Sequence, residues 1–209
     1  MPSRPSCSAA FARILPLVAA ALALLPGAGA ADPVNIARDR PSVTVETPQG
    51  PAEIRRNQDT AAMLDFDWAL TSRPCPPYCI QPMVPAKGVT PVGELELLDM
   101  LRDPQAVVID SRTSDWYAGG TIPGSVNIPW NVTAERLDEL GCEADFDGWY
   151  CGAEVPRVAL FCNGPWCGQS PTAIRRMIDA GYPADKIAYY RGGMQVWRLL
   201  GLTVTGEDG

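Results

Sequence analysis

Short apolar runs that alternate with helical spacing constrain this chain more than any other feature. Ala106-Val-Val-Ile109, Val158-Ala-Leu-Phe161 and Ile187-Ala-Tyr-Tyr190 are each four residues long, and Val126-Asn-Ile128 is a briefer one. Runs of that length without polar alternation are strands covered on both faces. Helical patterns lie between them. Thr90-Pro91 is an N-cap and first-turn signal ahead of an apolar face made by Leu95, Leu97, Leu98 and Leu101. Thr133 to Leu140 reads as helix, Pro171 to Ala180 as a helix stopped by Gly181, and Met194 to Leu200 as another. Strands and helices in this order predict an α/β fold, a doubly wound parallel sheet with helices on both faces. Trp116, Trp130 and Trp197 read as core residues.

The first thirty residues follow another logic. Arg4 and Arg13 precede an apolar run from Ile14 to Leu25, and Pro26-Gly-Ala-Gly-Ala30 follows. This is the pattern of an export signal cleaved near Ala30, and the run is too short to span a bilayer. Three segments are therefore expected: a signal peptide over 1–30, a Pro-rich extension over 31–88, and a folded domain over 89–206. Within the extension, Val43-Thr-Val-Glu46 and Ala52-Glu-Ile-Arg55 flank Pro48-Gln-Gly-Pro51 as the arms of a hairpin. The expected location is the bacterial periplasm, with no membrane attachment after cleavage.

Composition narrows the chemistry. The chain contains no histidine, which removes Ser-His-Asp and Cys-His catalysis and every His-ligated metal site. Its net charge of −7 disfavours a nucleic-acid partner. Export would leave six cysteines, Cys75, Cys79, Cys142, Cys151, Cys162 and Cys167, in an oxidising compartment. They fall in three local pairs, although spacing alone does not choose the connectivity. Cys142 and Cys151 bracket an acidic loop, and a structural disulfide is the expectation there. Cys75-Pro-Pro-Tyr-Cys79 reads first as a local disulfide. A second redox pair, or a Cu(I) site with Met83, are the other readings.

In a parallel sheet, ligands bind beyond the carboxyl ends of the strands. Two polar segments fall there, Asp110-Ser-Arg112 and the loop from Cys162 to Ser170. The loop runs straight into a helix, so its amides and the helix N-terminus favour an anion. A cysteine at that place is expected to have a depressed pKa and to act as a thiolate. Cys162 is the candidate nucleophile. Asn163, Gly164, Trp166, Gly168, Gln169 and Ser170 would shape the anion cradle, and Cys167 is a resolving or regulatory thiol.

Several of these segments together resemble a single rhodanese domain. They are Val107-Val-Ile-Asp-Ser-Arg112, Gly120-Thr-Ile-Pro-Gly-Ser-Val-Asn-Ile-Pro129, Leu160-Phe-Cys162, Gly181-Tyr182, and Tyr190-Arg-Gly-Gly193 with Trp197 and Gly201. The resemblance implies a five-stranded parallel sheet between helices and sulfur carried as a persulfide on Cys162. It implies supporting roles for Asp110 and Arg112, a small sulfur-containing donor such as thiosulfate, a thiol acceptor (cyanide in the test tube), and no cofactor or metal. Phosphatases of related fold carry an arginine where Gly168 stands, so phosphate transfer is not expected. Arg175 and Arg191 are the cations nearest in sequence that could serve the loop instead. Two rival readings are a thiol–disulfide module cycling Cys162 with Cys167 against a periplasmic redox protein, and a non-catalytic sulfur- or metal-binding module.

Overall fold

The computed structural model describes residues 32–64 and 66–206; the expected signal peptide lies outside the described residues. The first elements among the described residues are an antiparallel hairpin of β1 (Ser42–Val45) and β2 (Ala52–Arg55), with Ser42 opposite Arg55. A single helical turn, α1 (Phe66–Ala69), and an irregular stretch lead to β3 (Thr90–Pro91) and α2 (Glu94–Met100). There follow β4 (Ala106–Asp110), α3 (Ser114–Ala118) and β5 (Val126–Asn127). A second hairpin, β6 (Glu143–Asp145) with β7 (Gly148–Tyr150), precedes β8 (Arg157–Phe161), α4 (Gln169–Asp179), β9 (Ile187–Tyr189) and α5 (Gly193–Leu199).

Five strands form one parallel sheet in the order β3-β9-β8-β4-β5. Its centre is β8, in register with β4 from Arg157 opposite Ala106 to Phe161 opposite Asp110. Successive side chains of a strand point to opposite faces, so a doubly covered strand must be apolar throughout. On β8, Ala159 and Phe161 join a core with Leu97 and Leu98 of α2 and Met194 and Trp197 of α5. Val158 and Leu160 join the opposite core, with Ala173, Ile174 and Met177 of α4. The first hairpin belongs to this architecture too, since Val43, Val45 and Ile54 are buried in the α2/α5 core.

Three local expectations need correction. Thr90-Pro91 does not start a helix; it is the edge strand β3, paired with Ala188 and Tyr189. Proline suits either place, because both the first turn of a helix and a sheet edge leave its missing N–H unneeded. The helix begins at Glu94 instead, and Glu96 Oε2 accepts a hydrogen bond from the Gly93 amide at 3.0 Å. With that start Leu95 faces solvent, 44% exposed, and only Leu97, Leu98 and Met100 are buried. Finally, Thr133 to Leu140 is two short 3-10 turns, Thr133–Glu135 and Leu137–Leu140, broken at Arg136 (φ −118°, ψ 30°). Leu137 and Leu140 are still buried, so the apolar positions are satisfied without a full helix.

Both outlying cysteine pairs are disulfides. Cys142–Cys151 joins the two ends of the β6–β7 hairpin, and Cys75–Cys79 closes a five-residue loop around Pro76, Pro77 and Tyr78. Cys162 and Cys167 are free and buried.

Candidate active site

The site lies where β4 and β8 end. Asp110 is the last residue of β4, and Arg112 folds back onto it. Arg112 Nη2 lies 2.6 Å from Asp110 Oδ2, and Nε donates to both carboxylate oxygens at 2.9 and 3.1 Å. Both side chains are fully buried. A buried ion pair is tolerable only when its other donors and acceptors are also satisfied. Here Thr121 Oγ1 donates to Asp110 Oδ2 at 2.7 Å, and Arg112 Nη2 also donates to the Gly120 carbonyl at 2.6 Å. Arg112 Nη1 reaches Asn163 Oδ1 at 3.4 Å, so the pair ties the end of β4 to the loop after Cys162.

That loop is held from three sides. Within it, the Cys167 amide donates to the Gly164 carbonyl at 2.9 Å. From α5, the amides of Met194 and Gln195 donate to the carbonyls of Cys162 and Asn163 at 3.0 and 2.9 Å. This close approach requires Gly193, whose φ is +55° and whose Cβ, if present, would stand 2.2 Å from the Cys162 carbonyl oxygen. Gly164 is packed nearly as tightly, with a Cβ position 2.9 Å from Gln195 Cβ. From the extension, the Gln81 amide donates to the Pro165 carbonyl at 2.8 Å, and Arg191 Nε donates to the Gln81 carbonyl at 2.8 Å.

Of the residues singled out for the cradle, Asn163, Trp166, Gly168 and Gln169 line the space above the loop, whereas Gly164 and Ser170 do not. Gly168 precedes the first turn of α4, Gln169 opens the helix, and the Gln169 side-chain amide lies 3.7 Å from Cys167 Sγ. Cys162 Sγ points at the Cys167 carbonyl, 3.3 Å away. The expectation of a low pKa at Cys162 is reversed. Burial and the neighbouring Cys167 push the Cys162 thiol well up, against the opposing pull of the Ser170 hydroxyl and amide. Cys167 is instead lowered to about 7, by a hydrogen bond from Cys162, the amides of Gln169 and Asn163, and the positive charge of Arg112. The physical cause is desolvation: it costs most at the deeper sulfur, so the pair gives up its first proton from the outer one.

Above the loop is a cavity of about 440 Å³. Cys167 is at its wall, whereas Cys162 is not. Trp116, Trp130, Trp166 and Tyr78 line it. Trp116 and Trp130 were expected in the core, but Trp116 is 42% exposed and both face this space; Trp130 also packs against the α4-side core, and of the three Trp197 alone is fully buried. Arg73 also lines it, with its guanidinium 4.1 Å from the Trp166 ring centre. Neither Arg175 nor Arg191 does: Arg175 reaches Thr172, and Arg191 is engaged with Gln81 and Met83. Arg73 is 89 residues from Cys162 in an irregular segment, and no local sequence signal marks it. Two buried hydroxyls lie beside the thiols: Tyr189 Oη has no hydrogen-bond partner, and Ser170 Oγ has none but the Cys162 sulfur. Burial raises the Tyr189 pKa, and the electrostatic field of both sulfurs adds to it.

Comparison with known proteins gives this geometry its setting. An HTH-type transcriptional regulator of Mycobacterium tuberculosis is 33% identical over 113 residues, 54% of this chain. The chain spans only 43% of that regulator's length. Arsenate reductase 2.2 of Oryza sativa subsp. japonica is 28% identical over 124 residues, covering 57% of this chain and 89% of the reductase. The solved structure of a human single-domain sulfurtransferase superposes with a TM-score of 0.40 at 21% identity, covering 52% of this chain and 94% of its own. A family model described as Rhodanese-like domain matches residues 94–200, which takes in β4, β8, the cysteine loop and α5. By that match over half of its length, the chain belongs to the rhodanese-like domain family.

Proposed function

We propose that this protein is an exported sulfurtransferase that moves sulfane sulfur from thiosulfate or a related donor to a thiol acceptor through a Cys162 persulfide. The observation that supports it most directly is the pair of free thiols, Cys162 and Cys167, in one loop at the N-terminus of α4. Without histidine, the Cys167 thiolate is the base available to Cys162. It takes the Cys162 proton as the Cys162 sulfur attacks the outer sulfur of thiosulfate. The sulfur–sulfur bond of the donor breaks, sulfite leaves with the electron pair, and Cys162 carries the terminal sulfur as an anionic persulfide. The Ser170 amide and hydroxyl and the dipole of α4 favour that negative charge. An acceptor thiolate then attacks the terminal sulfur and Cys162 departs as a thiolate.

Tetrahedral oxyanion chemistry is less well served. The loop carries Gly168, and no arginine, at the place of a bidentate clamp for phosphate or arsenate. The amino-terminal pattern supports a periplasmic setting, where thiol acceptors are proteins or small exported thiols.

The test is the intact mass of the reduced mature protein before and after thiosulfate, beside Cys162→Ser. The expected result is a gain of one sulfur on the wild type, discharged by cyanide and absent from the variant. A wild-type protein with a demonstrably free Cys162 that gains no sulfur from any sulfane donor overturns the reading.

A further inference from the structure

One buried group beside the thiols takes no part in the transfer steps. Tyr189 is the last residue of β9, fully buried, and its ring packs in the α4-side core. Its register partner on β8 is Leu160. Paired residues of neighbouring strands share a face of the sheet, and so do residues two apart on one strand. Cys162 stands two residues beyond Leu160, so Tyr189 and Cys162 belong to the same face. Two residues advance a strand by about 6.6 Å, a distance within the span of a tyrosine side chain. The electrostatics agree with this placement, since Tyr189 feels both sulfurs and feels Cys162 more strongly than Cys167.

The Tyr189 hydroxyl is a donor with nothing to donate to. Burial and the two sulfurs keep the phenol protonated, with Arg191 pulling weakly the other way. A buried donor left unpaired costs free energy comparable to a lost hydrogen bond. The other two buried tyrosines are paired: Tyr182 donates to the Pro156 carbonyl at 2.7 Å, and Tyr190 to Glu94 Oε1 at 2.9 Å. Among the described residues, Tyr189 is thus the one buried tyrosine without a partner.

Loading changes what lies within reach of it. A persulfide lengthens the Cys162 side chain by one sulfur, about 2 Å, and puts the negative charge on the added atom. Burial works against charge at that depth, and the donors already in place are the Ser170 amide and hydroxyl. We infer that the Tyr189 hydroxyl donates a hydrogen bond to the terminal sulfur of the Cys162 persulfide, and so is unpaired in the empty protein and paired in the loaded one. The inference rests on the sulfurtransferase reading. Tyr189 keeps its proton throughout. Its effect is on the equilibrium, because the loaded state gains a charge-assisted hydrogen bond that the empty state lacks.

Tyr189→Phe removes only the oxygen. The protein is loaded with inorganic polysulfide and then equilibrated with mixtures of sulfite and thiosulfate. Sulfite takes the terminal sulfur and becomes thiosulfate, and Cys162 returns to the thiol with a proton from solvent. Intact mass gives the loaded fraction. A hydrogen bond to an ion is worth about 10- to 100-fold in such an equilibrium. Half-emptying the wild type should therefore need a sulfite-to-thiosulfate ratio about 10- to 100-fold higher than half-emptying Tyr189→Phe. When empty, Tyr189→Phe should melt at or slightly above the wild type, because no hydrogen bond is lost. Tyr182→Phe is the structural control: it breaks an existing hydrogen bond, so it should melt lower and keep the wild-type ratio. Equal ratios in wild type and Tyr189→Phe overturn the role of Tyr189 and leave the sulfurtransferase reading standing. So does an empty Tyr189→Phe that melts several degrees lower, or a Tyr182→Phe ratio that moves as far. If polysulfide leaves a demonstrably free Cys162 unmodified, the functional reading fails, and the inference with it.

Discussion

Replacing Gly193 by alanine tests whether α5 positions the cysteine loop. At φ +55° an L-residue carries a backbone penalty of about 1–2 kcal/mol. The steric penalty comes on top. The new Cβ would lie 2.2 Å from the Cys162 carbonyl oxygen, 2.7 Å from the Gly164 nitrogen and 3.0 Å from the Asn163 carbonyl carbon. All three are backbone atoms, so no rotamer change relieves them. Restoring ordinary contact means separating α5 from the loop by about 1 Å, which stretches the hydrogen bonds from Met194 and Gln195 at about 0.5–1.5 kcal/mol each. The total is about 2–5 kcal/mol, which in a chain of this size lowers the melting temperature by roughly 4–20 °C. Sulfur loading should fall further than stability alone explains, by about 100-fold, because the nucleophile is displaced by about 1 Å. Gly141→Ala is the matched control. Its φ of +80° is equally left-handed, but nothing lies within 4 Å of the added Cβ. It should cost about 1 kcal/mol and leave loading intact. Thermal melts and the rate of sulfur gain by mass spectrometry read both quantities. A Gly193→Ala protein that melts with Gly141→Ala and loads at the wild-type rate would refute the argument that this contact sets the loop.

Three further outcomes are expected. Arg112→Met strips the fully buried Asp110 carboxylate of its cation and should destabilise by about 3–5 kcal/mol in urea, with Asp110→Asn in the same chain recovering part of the loss; a single variant as stable as wild type excludes the pair as a fold-holding element. The loading rate should rise with pH as Cys167 loses its proton at about 7 and then level off, because deprotonation creates the base. In Cys167→Ser that rise should move well above neutrality, since the raised Cys162 thiol then ionises alone, and an unshifted profile removes Cys167 from the proton transfer. Replacing Cys142 and Cys151 together by alanine frees the ten-residue loop they close and should cost about 2–3 kcal/mol in thermal melts without changing loading at 25 °C; an altered loading rate would mean the hairpin reaches the site.

Much of the sheet was legible because covered strands have nowhere to hide polar residues. The apolar runs at 106–109 and 158–161 could be little else, and the polar loop that follows Phe161 marked the site. β3 was not legible. Two residues carry no periodicity, and Pro91 satisfies a helix start as well as a sheet edge. The 3-10 turns after Val132 keep the burial of a helix face, so pattern alone could not separate the two. At the site, Cys162 and Cys167 were visible as residues, but their order of ionisation depends on depth beneath the surface, which a linear pattern does not contain. Arg73 and Tyr78 were invisible for a different reason. They reach the cavity from a segment whose Gln81 is pinned between Pro165 and Arg191, a tertiary contact with no local trace.

The two shortest strands have a consequence for behaviour in concentrated solution. Exposed sheet edges invite further strands to add on, and long flat edges seed aggregation. Here the sheet ends in β3 on one side and β5 on the other, each of two residues. Pro91 removes one donor from the first edge outright, and the Asn127 side chain donates to the Asp110 and Arg112 carbonyls beside the second. A neighbouring chain therefore finds almost no ladder to extend, so the folded protein should resist edge-to-edge fibre growth even where its central strands, if unfolded, would not.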